Sequence, residues 1–422
     1  MNSFVQVLIK DVLGTPAILV GLFALVGLLL QKKDISKVVT GTLKTVMGFL
    51  ILSAGANFIS IPLNNFSKMF GHAFTMQGVV PNTDVMSILA QNKFGTLTAV
   101  IMISAMILNI ILAKYTRFKY IFLTGHHIMY FAAMLAFIFS ISKVNFVVAA
   151  IFGAVIEGVW MVLSPAILQP FTRKIVGRDD LAVGHFGSLS YLVSAWVGKA
   201  FGNKNLTTEN VKVPKQLSFL RDSSVSISIT MALLFLILAP IAGSDYVQTT
   251  LSSGQNFIVF SLLQAINFAA GVYIILAGVR MIISEILPAF KGIADKLVKG
   301  AKPALDCPTV FPFAPNAVVI GFLSAFVGGI ICMFLTPVFG LAVVVPGLVP
   351  MFFCGGTAGV YGNSTGGLRG AILGSLVTGL LLSFLPAILL IFLGHLGYAT
   401  TWGDSDFDII GSLLSGFFRL FD

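Results

Sequence analysis

Two adjacent histidines, His126 and His127, follow a Thr-Gly pair inside an otherwise apolar stretch, and ionisable side chains so placed usually face a bundle interior or a polar cavity. A neutral imidazole offers one donor and one acceptor, so the pair could hold a polyol or a sugar acid. The plainer alternative for either ring is a satisfied structural imidazole. Asp306 lies in a segment broken by Pro303 and Pro315, where its carboxylate could accept hydrogen bonds from paired sugar hydroxyls or cap a half-helix. His185, in Val183-Gly-His-Phe-Gly, offers the same chemistry as the pair. Glu157 stands alone in an apolar run, and an isolated carboxylate at the bilayer centre costs ~2.5–3.5 kcal/mol on insertion scales. It must find a neighbouring helix or water. Cys307, Cys332 and Cys354 form no CxxC spacing and read as buried apolar thiols. The glycines from Gly355 to Gly362 lack the Lys-Ser/Thr ending of a phosphate loop, which excludes that motif. Neither a catalytic set nor a metal or cofactor set emerges.

The elements that must position these groups are membrane helices. Of 422 residues, 57% are hydrophobic and 10% charged, against about a quarter charged in a soluble domain. Residues 307–368 contain no Asp, Glu, Lys or Arg, and at about 20 residues per crossing that stretch alone could span a bilayer twice. The formal charge of +10 is concentrated between apolar segments, around Lys32 and Lys33, Lys114 to Lys119, Arg173 to Arg221 and Lys291 to Lys302. That distribution places those loops in the cytoplasm and excludes nucleic-acid binding, which needs a soluble basic face. The expectation is a multi-pass membrane protein, with the lipid bilayer as its surroundings.

Apolar windows predict spans near 12–31, 42–63, 96–113, 120–142, 144–172, 223–244, 255–279, 315–339 and 371–397. Segments near 181–202, 303–314 and 341–368 are too polar or too broken by Gly and Pro, and are expected to be re-entrant elements lining a substrate path. The tail from Asp408 to Leu420 reads as a short last span or an interfacial helix. Leu52-Ser-Ala-Gly-Ala-Asn resembles Ile275-Leu-Ala-Gly-Val-Arg, with Gly55 falling on Gly278 and an aspartate, Asp84 or Asp306, following each. The charge pattern gives the two copies opposite topology. This predicts approximate inverted halves, 12–175 and 223–397, joined by the basic segment 173–222 within a single integral membrane domain 1–422, as in secondary transporters with a midplane site.

Eight motifs in order resemble one family. They are Gly41-Thr-Leu-Lys-Thr-Val-Met-Gly-Phe, Leu123-Thr-Gly-His-His, Val183-Gly-His, Gly278-Val-Arg-Met, Leu305-Asp-Cys, Phe313-Ala-Pro-Asn-Ala-Val-Val-Ile-Gly-Phe, Val345-Pro-Gly-Leu-Val-Pro-Met-Phe-Phe and the Gly366-Gly pair. The chain resembles the ascorbate-type IIC permeases of the phosphoenolpyruvate-dependent sugar phosphotransferase system, within the ascorbate–galactitol superfamily. The resemblance implies an all-α polytopic homodimer of about ten to eleven transmembrane helices per chain, with re-entrant elements, a dimerising scaffold and a core that moves like an elevator. It also places substrate contacts at Thr83 and Asp84, beside those at His126, His127, His185 and Asp306. Asn363, next to the Gly366-Gly367 turn, completes the candidate set.

The departures concern the substrate. Ascorbate-type members carry glutamines where this chain has Phe186-Gly187 and Phe131-Ala132, and an aromatic where it has Asp84. Losing groups that both donate and accept changes what a pocket can recognise. The expected function is a IIC permease moving a small hydroxylated substrate, ascorbate or related, to a separate cytosolic IIB partner supplied by IIA. No phosphorylated residue is expected on this chain. A pentitol- or galactitol-specific IIC, or an ion-coupled secondary transporter, is the alternative. A receptor or membrane enzyme would need a soluble domain or a catalytic cluster, and neither is visible.

Overall fold

The computed structural model of the chain describes residues 15–74, 78–210, 223–394 and 400–420. Among them are eleven helices of fourteen residues or more: α1 (Pro16–Leu30), α2 (Ile35–Phe74), α3 (Thr83–Tyr115), α4 (Gly125–Ile141), α5 (Phe146–Val176), α6 (Ser188–Phe201), α7 (Ser223–Ala242), α8 (Phe257–Lys296), α9 (Pro315–Leu335), α10 (Gly356–Leu393) and α11 (Ser405–Arg419). Three short strands intervene: β1 (Tyr120–Phe122), β2 (Ala182–Val183) and β3 (Lys302–Leu305). Local chemistry sets several starts: Asn82, Asn145 and Asn256 each turn a side-chain oxygen onto an N–H of the first turn of α3, α5 and α8. This satisfies donors that no helix can satisfy internally.

Six helical stretches of the described residues are long and apolar enough to cross a membrane, and a seventh if 227–242 and 244–251, bent by 107°, form one span. The chain is an all-α polytopic membrane protein. Segments 12–31 and 120–142, read as full spans, contain shorter apolar helices, Ala17–Leu30 and Gly125–Ile141. The latter is short because residues 120–122 are extended. The stretch 341–368 runs into α10, whose helix breaks at Gly366 and at Gly367, with φ of 59°. A Cβ at Gly367 would stand 2.3 Å from the carbonyl oxygens of Asn203 and Leu206. Of the basic segment 173–222, residues 182–201 form β2 and α6, built into the helical body, and 211–222 lie outside the described residues.

The two helices carrying the internal similarity, α2 and α8, are each 40 residues long and pack against each other with backbones touching. A Cβ at Gly55 would meet the Ile275 nitrogen at 2.7 Å, and one at Gly278 would meet the Leu52 nitrogen at 2.4 Å. Small residues permit such contact between membrane helices, where dispersion rather than water drives association. β1 lies parallel to β3, and Val79 lies parallel to Val344.

The last helix, α11, has 15 residues, fewer than the ~20 that a crossing needs. Its acidic first turn is buried in protein. Asp406 accepts hydrogen bonds from Trp160 Nε1 at 2.9 Å, Ser188 Oγ at 2.6 Å, the Leu189 N–H at 2.9 Å and Ser405 Oγ at 3.0 Å, which ties α11 to α5 and α6. Asp406→Ala orphans several buried donors, each costing about 1–3 kcal/mol. We expect a destabilisation of about 3 kcal/mol or more, read as a clear fall in melting temperature of the detergent-solubilised protein. An unchanged melting temperature would show that the carboxylate does not hold the helix.

Candidate functional site

The three short strands explain how distant motifs meet. β3 lies in the middle of a three-stranded sheet, with β1 and β2 parallel to it on either side; Phe122 is opposite Ala304 and Val183 opposite Leu305. All three therefore end at one level, and each is followed at once by a motif that the sequence singled out. Asp306 comes one residue after β3, His185 two residues after β2, and His126 and His127 lie on the first turn of α4 just beyond β1. The Leu123 N–H donates to the Ala304 carbonyl at 2.9 Å, and the Gly184 N–H to the Leu305 carbonyl at 2.7 Å. Thr124 Oγ1 donates to the Gly184 carbonyl at 2.6 Å. Non-helical backbone at membrane depth survives only when satisfied in this way. A Cβ at Gly184 would stand 2.8 Å from the Ala304 carbonyl oxygen, so the sheet closes there only around glycine.

Asp306 is the hub. Its Oδ2 is 3.5 Å from His126 Nε2 and its Oδ1 is 3.8 Å from His185 Nε2, while Oδ1 also accepts the Cys307 N–H at 2.7 Å. It both caps the 3-10 turn Cys307–Phe313 and faces the imidazoles. The tautomer of His185 follows from its other nitrogen. Nδ1 lies 2.9 Å from the Gly187 N–H, which can only donate, and 2.9 Å from the Tyr191 hydroxyl. Nδ1 is then the acceptor and Nε2 carries the proton, directed at Asp306. His127 is 5% exposed, its Nδ1 has no hydrogen-bond partner among the described residues, and its ring lies against His185, with Phe407 parallel to it.

These groups line a cavity of about 540 Å³. Thr83, His126, His127, His185 and Asp306 all border it. Asn363 does not: its Oδ1 accepts the Thr208 N–H at 3.0 Å and so fastens the loop after α6 to α10. The side chain of Asp84, at the start of α3, lies outside the described residues. Glu157 is fully buried and away from the cavity, and neither carboxylate oxygen has a hydrogen-bond partner among the described residues.

The cavity also has walls that sequence reasoning missed. Ser53, Asn57, Ser60 and Asn64 of α2 border it, and their spacing of four, three and four residues puts them on one helical face. That polar stripe in an apolar helix was the signal available. Tyr130 lies on the face of His126, four residues on, and was equally legible. Cys307, Cys354 and Asp404 also line it, with the Cys354 thiol 3.1 Å from Asp404 Oδ1.

Donor atoms of His126, His127 and Asp306 lie within 4.8 Å of one another, as do those of His185, Asp306 and Cys307, and of His185, Cys354 and Asp404. His185 has one nitrogen accepting and the other protonated, so it suits hydrogen bonding to hydroxyls rather than a cation. The first trio is the set whose chemistry would accept a divalent ion. The arrangement as a whole is a cavity of mixed polar and apolar lining, with the Asp306 carboxylate flanked by two imidazoles.

A family model described as "PTS system sugar-specific permease component" (EIIC-GAT) matches residues 11–406. A curated protein of Mycoplasma pneumoniae, named ascorbate-specific PTS system EIIC component, is 29% identical over 417 residues, covering 86% of this chain and 63% of the relative. The chain thus spans just under two thirds of the length of that relative.

Proposed function

Because the chain belongs to the family of PTS sugar-specific permease components, we propose that it is a IIC subunit that takes up a small hydroxylated substrate, ascorbate or a related compound, for phosphorylation by a separate cytosolic IIB protein recharged by IIA. The observation that carries this reading is the convergence of His126, His127, His185 and Asp306 on one cavity from the ends of three parallel strands. Sugar hydroxyls donate to Asp306, the Nε2–H of His185 donates to a substrate oxygen, and Thr83 and Tyr130 supply further polar contacts. Phosphorylation then adds negative charge that keeps the product from returning, which gives uptake its direction.

The pairing of β1 with β3 and of Val79 with Val344, and the matched α2 and α8, support inverted halves and a cavity between them. One wall of the cavity is the α2 stripe and the others come from loops and helices of the remaining body, which supports movement of that body past α2 in an elevator-like step. A second cavity, of about 500 Å³, lies among Arg178, Asp179, Asp180, Lys291 and Lys302, with Arg178 paired to Asp180 and Lys302 to Asp179. A homodimer is part of the same reading.

Proteoliposomes containing the purified protein should accumulate phosphorylated substrate only when IIB and its phosphoryl source are inside. Uptake that persists without IIB and collapses with an uncoupler would favour an ion-coupled transporter instead. Cys307 is 1% exposed, with its thiol 4.0 Å from the Phe353 carbonyl oxygen, a packed thiol rather than a phosphoryl carrier. Cys307→Ser should therefore retain most IIB-dependent uptake, and loss of phosphorylated product with normal substrate binding would overturn that assignment.

A further inference from the structure

Asp404 precedes α11, at the N-cap position, where an aspartate ordinarily accepts from N–H groups of the first turn. Its carboxylate makes no such bond. It borders the cavity instead, 7% exposed, with Oδ1 3.1 Å from the Cys354 thiol and Oδ2 3.5 Å from Thr83 Oγ1. The position is built rather than incidental. The Thr83 hydroxyl accepts the Gly403 N–H at 3.2 Å, and the Asn82 N–H donates to the Thr401 carbonyl at 2.9 Å. These bonds fix the residues before α11 against those before α3, so the carboxylate stays at the wall. Two residues on, Asp406 is turned away from the cavity and onto Trp160 and Ser188, so the tail divides its acids between holding the fold and facing the chamber.

His185 relates the two cavity carboxylates. Its ring nitrogens come within 4.8 Å of donor atoms of Asp306 on one hand and of Asp404 with Cys354 on the other. No lysine or arginine lines the cavity among the described residues. Two carboxylates without a resident cation attract hydroxyl donors and repel an anionic ligand.

We propose that Asp404 is a second substrate-recognition residue, which with Asp306 selects a polyhydroxylated compound by accepting from hydroxyl groups at two places, and which favours an uncharged ligand over an anionic one. The inference rests on the permease reading and narrows it, favouring a neutral polyhydroxylated substrate over ascorbate itself.

The test compares binding of galactitol, a neutral hexitol, with binding of ascorbate, an anion at neutral pH, by wild type and by Asp404→Asn in detergent. Removing one charged acceptor should weaken galactitol binding by about tenfold or more. Ascorbate, no longer repelled, should lose less, so the affinity ratio shifts toward ascorbate. Asp404→Glu, which keeps the charge, should leave the ratio within about twofold; this variant decides the matter if Asp404→Asn does not accumulate. Equal losses for both ligands with a lowered melting temperature would overturn the proposal in favour of a structural role, as would unchanged affinities. Wild-type binding of a probe without IIB-dependent uptake would overturn the permease reading while leaving Asp404 as a ligand. Wild-type protein that binds neither probe would overturn both.

Discussion

Asp306→Asn should weaken substrate binding by about a hundredfold while leaving the melting temperature of the protein nearly unchanged. The size follows from the contacts. A hydrogen bond to a charged group contributes about 1.5–3 kcal/mol, and each 1.4 kcal/mol is a factor of ten. Asp306 faces the cavity with both oxygens near imidazoles, so a substrate that donates two hydroxyls to it loses about 3 kcal/mol or more when the charge goes. Asparagine is chosen because Asp306 has a second role: it caps the turn that starts at Cys307, and asparagine caps as well as aspartate. The variant therefore separates the two roles. A fall in melting temperature with unchanged affinity would assign Asp306 to the fold alone. Equilibrium binding and thermal unfolding on the same preparation decide it.

Gly184→Val should all but remove the site, and much of the folded protein with it. The β-carbon would be placed 2.8 Å from a backbone oxygen, that of Ala304, and a strand held between two neighbours cannot yield as the end of a flexible side chain can. Overpacking of this kind costs about 1–3 kcal/mol and sometimes more. Here the cost falls on the pairing that sets His185 beside Asp306. Folded yield should drop sharply, and the fraction that folds should bind substrate at least as weakly as Asp306→Asn. Val183→Ile, one residue earlier in the same strand, is the control for added bulk. Wild-type affinity in Gly184→Val would mean that the sheet does not position the site.

The residues that bear chemistry were legible individually. His126 and His127 stand out in an apolar run, and Asp306 stands out between prolines. Their assembly was not, because the elements that align them are strands of three, two and four residues, too short for a period of two to register. Parallel pairing of Tyr120 with Lys302 and of Ala182 with Ala304 joins residues far apart in sequence, and no local pattern encodes such a register. Asn363 illustrates the converse. A polar residue beside a glycine break resembles a ligand in sequence, yet a backbone N–H of a distant loop claims its oxygen. No local pattern marks Asp404; its place at the cavity depends on the bond that Thr83 accepts from the Gly403 N–H and the one that Asn82 donates to the Thr401 carbonyl.

By itself the sequence determined that the protein is a multi-pass membrane protein of helical type, since the scarcity of charge and the length of its apolar runs leave no other way to satisfy the backbone. Ordered motifs determined the permease family. Only the tertiary structure decided which polar groups share a chamber and which merely hold the fold. In a low-dielectric interior a carboxylate, an imidazole and a thiol can each serve either purpose, and what separates them is the direction in which distant segments turn them: Asp306 and Asp404 toward the cavity, Asp406 and Asn363 into the frame around it.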